Sequence, residues 1–140
     1  MSNRQNRVVH FEIHAANPVR ASKFYSKIFG WDINLWKGGN IEYRIVMTGK
    51  KPEEGAINGG LIKRMGPSPK LGQAVSSFVC IIEVPNVEAT LKKVLASGGK
   101  VALPIQEVPQ VGKFAYFIDT EGNLFGVIKS APPPKSEKNI

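Results

Sequence analysis

The feature that most constrains this 140-residue chain is a helix that occurs twice with the same punctuation. Asn17-Pro18-Val19 opens one amphipathic run, which closes at Gly30, and Asn86-Val87-Glu88 opens another, which closes at Gly98-Gly99. An alternating apolar segment precedes each run, Val8-Val9-His10-Phe11-Glu12-Ile13 in the first half and Phe78-Val79-Cys80-Ile81-Ile82-Glu83 in the second. Strand, Asn-capped helix and further strands, stated twice, call for two similar modules with a candidate site between their sheets.

Each helix carries its own boundary signals. The Asn17 side chain can accept from the first free backbone N–H groups, and Pro18 at the first helical position sacrifices no hydrogen bond. Ala21, Phe24, Tyr25, Ile28 and Phe29 recur at helical spacing opposite Arg20, Lys23 and Lys27, so a helix over about residues 18–29 should lay its apolar stripe on a sheet. The second helix, about residues 87–97, offers Val87, Leu91, Val94 and Leu95 for the same purpose. Strands are expected over about 31–36 and 41–48, flanking Gly38-Gly39-Asn40, and over about 56–65. After the second helix they follow at about 100–108, 114–119 and 124–129, with Thr120-Glu121-Gly122-Asn123 as a tight turn. Gly66-Pro67-Ser68-Pro69-Lys70-Leu71-Gly72 reads as the connection between modules, and residues 131–140 as a flexible tail.

Composition sets wider bounds. At 42% apolar content the chain can build a core, yet no apolar run approaches the roughly 20 residues that cross a bilayer, so no membrane partner is expected. A single cysteine rules out an intrachain disulfide framework and, with a polar N-terminus, fits a cytoplasmic setting. The net charge of +8 raises the question of nucleic acid. Lys50-Lys51, Lys63-Arg64 and Lys92-Lys93 are dispersed, however, and no nucleic-acid-binding motif accompanies them. A solvated basic surface, with a weak preference for anionic or neutral small molecules over cationic ones, is the expectation.

Two stretches carry a family likeness. His10-Phe11-Glu12-Ile13, leading through Asn17-Pro18-Val19-Arg20-Ala21-Ser22-Lys23-Phe24-Tyr25 to Phe29-Gly30-Trp31, together with Asp119-Thr120-Glu121-Gly122-Asn123-Leu124-Phe125-Gly126, resembles the vicinal oxygen chelate superfamily. That superfamily includes glyoxalase I, bleomycin-resistance proteins, fosfomycin-modifying enzymes and extradiol dioxygenases. The resemblance spans about residues 7–130. It implies an α+β fold in which two βαβββ modules (about 7–65 and 76–130, one glyoxalase-like domain over 1–130) have curved mixed sheets forming a cup, with helices on the outer faces. It also implies a homodimer, and in the metalloenzymes one divalent ion held by the first and last strands of the modules.

Carried over position by position, the metal set is depleted. His10 matches the first-strand ligand, Cys80 the corresponding place in the second module, Gly126 the final-strand Glu, and about Gly60 its counterpart in module one. Glycine has no donor side chain, and a Lewis-acid site needs about three protein ligands. No metal and no other cofactor is therefore expected.

His10, Glu12 and His14 alternate and so share one face of the first strand, the face that should look into the cup. Against this stands a solvent-exposed His14 and a Glu12 paired with a neighbouring cation. Cys80 is expected to pack as a small hydrophobe, since nothing in its surroundings would activate the thiol. Trp31, Trp36, Tyr43, Tyr116 and Phe117 fit a core or a cavity, and the Tyr43 hydroxyl makes it the best of them for ligand contact. Asn58 shares strand parity with Gly60. The candidate ligand-binding set is thus His10, Glu12, Tyr43, Asn58, Cys80 and Gly126. Three functions compete: a metal-free module binding a small organic ligand in the cup; a metal-independent lyase or isomerase using Glu12 or His10 to move a proton; and a dimeric interaction domain.

Overall fold

In the computed structural model, residues 5–51 and 55–132 are described. The element order is β1 (Val8–Ala15), α1 (Pro18–Phe29), β2 (Asp32–Trp36), β3 (Tyr43–Met47), β4 (Gly59–Lys63), β5 (Val79–Glu83), α2 (Val87–Ala96), β6 (Lys100–Val108), β7 (Gly112–Ile118) and β8 (Leu124–Ser130). This is the α+β arrangement of two βαβββ modules expected from the repeat. The expected tail lies, beyond Ala131 and Pro132, outside the described residues. The chain forms two compact units, one of residues 9–80 and one of residues 81 onward together with the segment up to Val8.

In the first unit the strands run in the order β2-β3-β4-β1. β1 and β4 are parallel with Glu12 opposite Gly60, while β3 is antiparallel to both β2 and β4. The parallel pair requires a long crossover, and α1 with the β2–β3 hairpin provides it. α1 begins where its sequence says it should: Asn17 Oδ1 accepts from Arg20 N–H at 3.0 Å and Pro18 occupies the first turn. It ends at Gly30, whose φ of 71° lies in the left-handed region that glycine enters without strain. Ile13, Val46 and Leu61 form the core beneath it, joined by Phe11, Ala21, Tyr25 and Trp31.

The amphipathic stripe of α1 is wider than its contact with the sheet. Phe24, Ile28 and Phe29, expected on the covered side, are each more than half exposed, whereas Ala21 and Tyr25 face the core. A strand alternates inside from outside sharply, but a helix face grades over an arc, so the flanking apolar residues are left at the rim.

The second unit repeats the order as β5-β8-β7-β6. β5 and β8 are parallel with Ile81 opposite Gly126, and β8, β7 and β6 are successively antiparallel. α2 is capped by Asn86 Oδ1, which accepts from Ala89 N–H at 2.9 Å. Val84, Val87, Ala115, Phe117 and Val127 form its core. The Asp119–Asn123 motif is a turn built by one carboxylate. Asp119 accepts from the backbone N–H groups of Glu121 and Asn123 and from the Asn123 side chain, and these hydrogen bonds hold its carboxyl below the usual range. Its role in the motif is therefore structural. The buried Glu83 carboxylate accepts from the Ser130 N–H and hydroxyl, tying the end of β5 to the end of β8.

Candidate functional site

Parity assigns the two faces of the first sheet. Phe11, Ile13, Val46 and Leu61 point to α1, so His10, Glu12 and His14 on β1, Gly60 and Ile62 on β4, and Tyr43 and Ile45 on β3 share the opposite face. Three of these are ionisable residues on one strand, and the structure brings a fourth to them.

Tyr43 is set opposite Ile62 in the ladder, but its phenol reaches diagonally across β4. A methyl group built on Gly60 would lie 1.8 Å from the Tyr43 hydroxyl oxygen. The phenol thus occupies the volume that any side chain at position 60 would need. From there it makes a 2.9 Å hydrogen bond with His10 Nε2 and donates to Glu12 Oε2 at 3.5 Å. The other Glu12 oxygen lies 3.7 Å from His14 Nε2. Trp36 packs edge-on to Tyr43, ring centroids 6.3 Å apart, and Gly38 and Gly39 leave room for the Trp36 indole at the hairpin tip.

The electrostatics follow from burial. Glu12 is only 6% exposed. Burial pushes the His10 imidazole below its ordinary value of 6.5, with the Glu12 charge pulling the other way. Burial also raises the Tyr43 phenol well above the usual tyrosine range, reinforced by the charge of Glu12 and the hydrogen bond to it. At neutral pH the site therefore holds a neutral imidazole and a protonated phenol. The phenol has one proton to give. Either His10 donates from Nε2 to a phenol that donates onward to Glu12, or the phenol donates to a bare Nε2. The two arrangements differ only in where the protons sit along the row His10–Tyr43–Glu12.

This sets a pH dependence. A histidine whose pKa is lowered by folding contributes stability that is present above 6.5 and is lost as pH falls through the folded-state value, because the unfolded chain then binds the extra proton. Thermal melts between about pH 8 and pH 5 should show the wild type losing more stability on acidification than His10→Asn. Parallel curves for the two proteins would mean that His10 carries no such penalty.

The remaining candidates lie elsewhere. Asn58 precedes β4, which starts at Gly59 and not at about residue 56. Its Oδ1 accepts from Thr48 N–H at 2.8 Å and from Gly49 N–H at 3.2 Å, pinning the loop after β3. Cys80 is exposed where packing was expected, and it alternates with Ile81, so it lies on the other face of β5 from the residue that pairs with Gly126. By the parallel registers, Glu12 opposite Gly60 corresponds to Ile81 opposite Gly126, which places Val79 and not Cys80 at the counterpart of His10. Gly126 is overlain by Ile81 and by the Tyr116 ring, whose Cε1 would lie 3.0 Å from an added methyl. Each module therefore sets a third-strand tyrosine over a fourth-strand glycine.

Two residues matter more here than the sequence suggested. His14, half-buried, belongs to the Glu12 group, and Arg64 Nη2 donates to the His14 carbonyl at 2.7 Å. Arg64 lies one residue past the end of β4, so strand alternation gave no signal for it. Two surface depressions are found elsewhere, one of about 320 Å³ beside the start of α1 and an apolar one of about 190 Å³ lined by Leu91, Leu103, Ile105 and Phe117. His10, Glu12 and Tyr43 line neither. Among the described residues, no three His, Cys, Asp or Glu side chains gather as a metal site would require. Among the described residues, no helix is long and apolar enough to cross a membrane.

With the fold and this geometry in place, comparison with known proteins assigns the family. Residues 7–127 match the Glyoxalase/Bleomycin resistance protein/Dioxygenase superfamily, and the chain belongs to it. A glyoxylase-like domain-containing protein of Didymella fabae is 32% identical over 117 residues, covering 83% of this chain and 88% of that protein. The putative glyoxylase CFP32 of Mycobacterium bovis is 27% identical over 124 residues, 86% of this chain but 43% of the relative, so the chain spans less than half of that protein. Among solved structures, methylmalonyl-CoA epimerase from Mycobacterium tuberculosis superposes with a TM-score of 0.58 at 15% identity, covering 88% of this chain and 87% of that one. A Streptomyces coelicolor methylmalonyl-CoA epimerase in complex with 2-nitronate-propionyl-CoA gives 0.62 at 15% identity, covering 91% and 99%. At these identities the structural likenesses show the fold alone.

Proposed function

We propose that the protein binds a small organic ligand on the polar face of its first module, without the divalent ion of its family's metalloenzymes. The observation that carries this reading is the Tyr43 hydroxyl, hydrogen-bonded to His10 and seated in the volume over Gly60. In the metalloenzymes that position supplies a donor; here a phenol fills the space and engages the one ligand residue that remains. Gly60 and Gly126 bring no donor atoms, and Cys80 lies on the strand face away from them in register. The residues present do not fit the ion, because His10 alone at those positions leaves most of a coordination shell to water.

What replaces the ion is a buried carboxylate with a phenol and two imidazoles around it. Such a group orients a polar ligand. It also favours a second reading, a metal-independent lyase or isomerase in which Glu12 or His10 takes a proton and Tyr43 relays it. That chemistry agrees in kind with relatives named as glyoxylases. The exposed Phe24, Ile28 and Phe29 on α1 favour a homodimer over a purely monomeric protein.

Native mass spectrometry of protein prepared without added metal, followed by a thermal-shift screen of small organic compounds, tests the whole reading. We expect a dimer mass without stoichiometric zinc, nickel or iron, and hits whose stabilisation shrinks in His10→Ala and Glu12→Gln. The two variants should stay within about 1 kcal/mol of the wild type in the absence of ligand. Near-stoichiometric metal that His10→Ala removes would overturn the metal-free assignment. Variants that melt at lower temperature but keep the wild-type ligand shifts would make the cluster structural.

A further inference from the structure

Beside the acid–base group lies an arginine that the proposed function does not use. Arg64 follows the last residue of β4, and its N–H still donates to the Ala15 carbonyl at 2.9 Å, which carries the parallel ladder one step further. Its side chain reaches back to the end of β1, the strand that carries Glu12 and His14. Nη2 is spent on the His14 carbonyl, but Nε is buried without a hydrogen-bond partner. His14 Nε2, from the residue whose carbonyl Arg64 holds, is likewise buried without one. None of the ion pairs formed among the described residues involves Arg64.

Such an arrangement is costly for a purely structural arginine. A buried donor left unsatisfied is costly, more so when charged, and native structures keep few of them. A guanidinium has five donors in a rigid fork that matches the two oxygens of a carboxylate. Lysine clusters elsewhere on this surface are exposed point charges with no such geometry, whereas Arg64 is half-buried and positioned by the strand end. The net charge of +8 adds a long-range field that draws anions toward it.

We infer that Arg64, with His14 beside it, anchors the negatively charged end of the ligand, and that the ligand is a small carboxylic acid bound as its anion. This inference rests on the polar face of the first module being a ligand site. It adds which end of the face takes the charge and which chemical class fits. The acid's carboxylate pairs with the guanidinium, and its remaining atoms extend along β1 toward Glu12 and Tyr43.

The test is a titration of the full chain with acetate, pyruvate and benzoate, each matched to its neutral amide, followed by heteronuclear NMR. At least one acid should bind the wild type below about 10 mM, with shifts at residues 12–15 and 62–64, while its amide binds at least about tenfold more weakly. Arg64→Gln should lose the preference for acid over amide. Arg64→Lys, which keeps the charge but not the fork, should recover part of it, and raised salt should weaken wild-type binding alone. Thermal melts of both variants control for folding; a structural arginine would lower the melting temperature and leave the acid-to-amide ratio unchanged, which overturns the inference. Equal binding of acids to wild type and Arg64→Gln also overturns it, as does the absence of acid binding to the wild type. Neutral hits that still respond to His10→Ala would leave the pocket standing while this assignment failed.

Discussion

Phe117→Ala is expected to destabilise the protein by about 3–5 kcal/mol, a large share of the 5–15 kcal/mol typical of a domain this size. Phe117 is 0% exposed at the centre of the second unit's core. It packs on Val84, Val87, Ala115 and Val127, with the Phe125 ring centroid 5.8 Å away. Those neighbours come from α2, β7, β8 and the residue that follows β5, and strands held by ladder hydrogen bonds cannot move inward to refill the volume. The lost burial and the residual cavity therefore add. Urea unfolding should show the lowered midpoint with a similar slope. A loss below about 1 kcal/mol would mean that this core collapses around the gap.

Gly112→Ala should be the most damaging small substitution. Gly112 opens β7 at φ 131°, a conformation L side chains rarely adopt. An added methyl would also sit 2.3 Å from the Lys129 carbonyl and 2.8 Å from the Ala131 nitrogen, both backbone atoms. Relief requires opening the Gly112–Ser130 end of the β7–β8 ladder, which Ala131 N–H extends by donating to the Val111 carbonyl. Strain and clash together should cost about 3 kcal/mol or more. Gly122 is the internal control, with φ 86° but open space around it. Gly122→Ala should cost only the left-handed strain, about 1–2 kcal/mol. Equal losses at the two sites, measured by chemical denaturation, would show that backbone crowding at Gly112 is not the dominant cost.

Much of the architecture was legible because its signals are short-ranged. Asn17 and Asn86 cap helices within three residues of themselves. Asp119 builds a turn with atoms no further than Asn123. The face shared by His10, Glu12 and His14 needs only the two-residue period of one strand. Tyr43 was legible as a contact by chemistry, since a buried hydroxyl requires a partner, and the structure supplies His10. Asn58 looked equivalent to Gly60 by parity, but its strand does not begin until Gly59, and a loop residue need not keep the alternation. Cys80 failed by one residue. Counting back from a helix cap cannot see that β5 pairs with β8 through Ile81, and a one-residue slip moves a side chain to the opposite face.

The sequence by itself determined the two βαβββ modules, their helix boundaries, the acid–base character of β1 and the family to which the chain belongs. All of these follow from neighbours along the chain or from a pattern that repeats. The tertiary structure alone decided that the Tyr43 phenol lies over Gly60 and that the Arg64 guanidinium holds the end of β1 through the His14 carbonyl. The hydrogen bonds from Tyr43 to Glu12 and from Arg64 to the His14 carbonyl join residues 31 and 50 positions apart. They depend on how the β1–β4 and β3–β4 ladders register after long connections, and register is set by packing across the whole sheet and not by any residue's own preference.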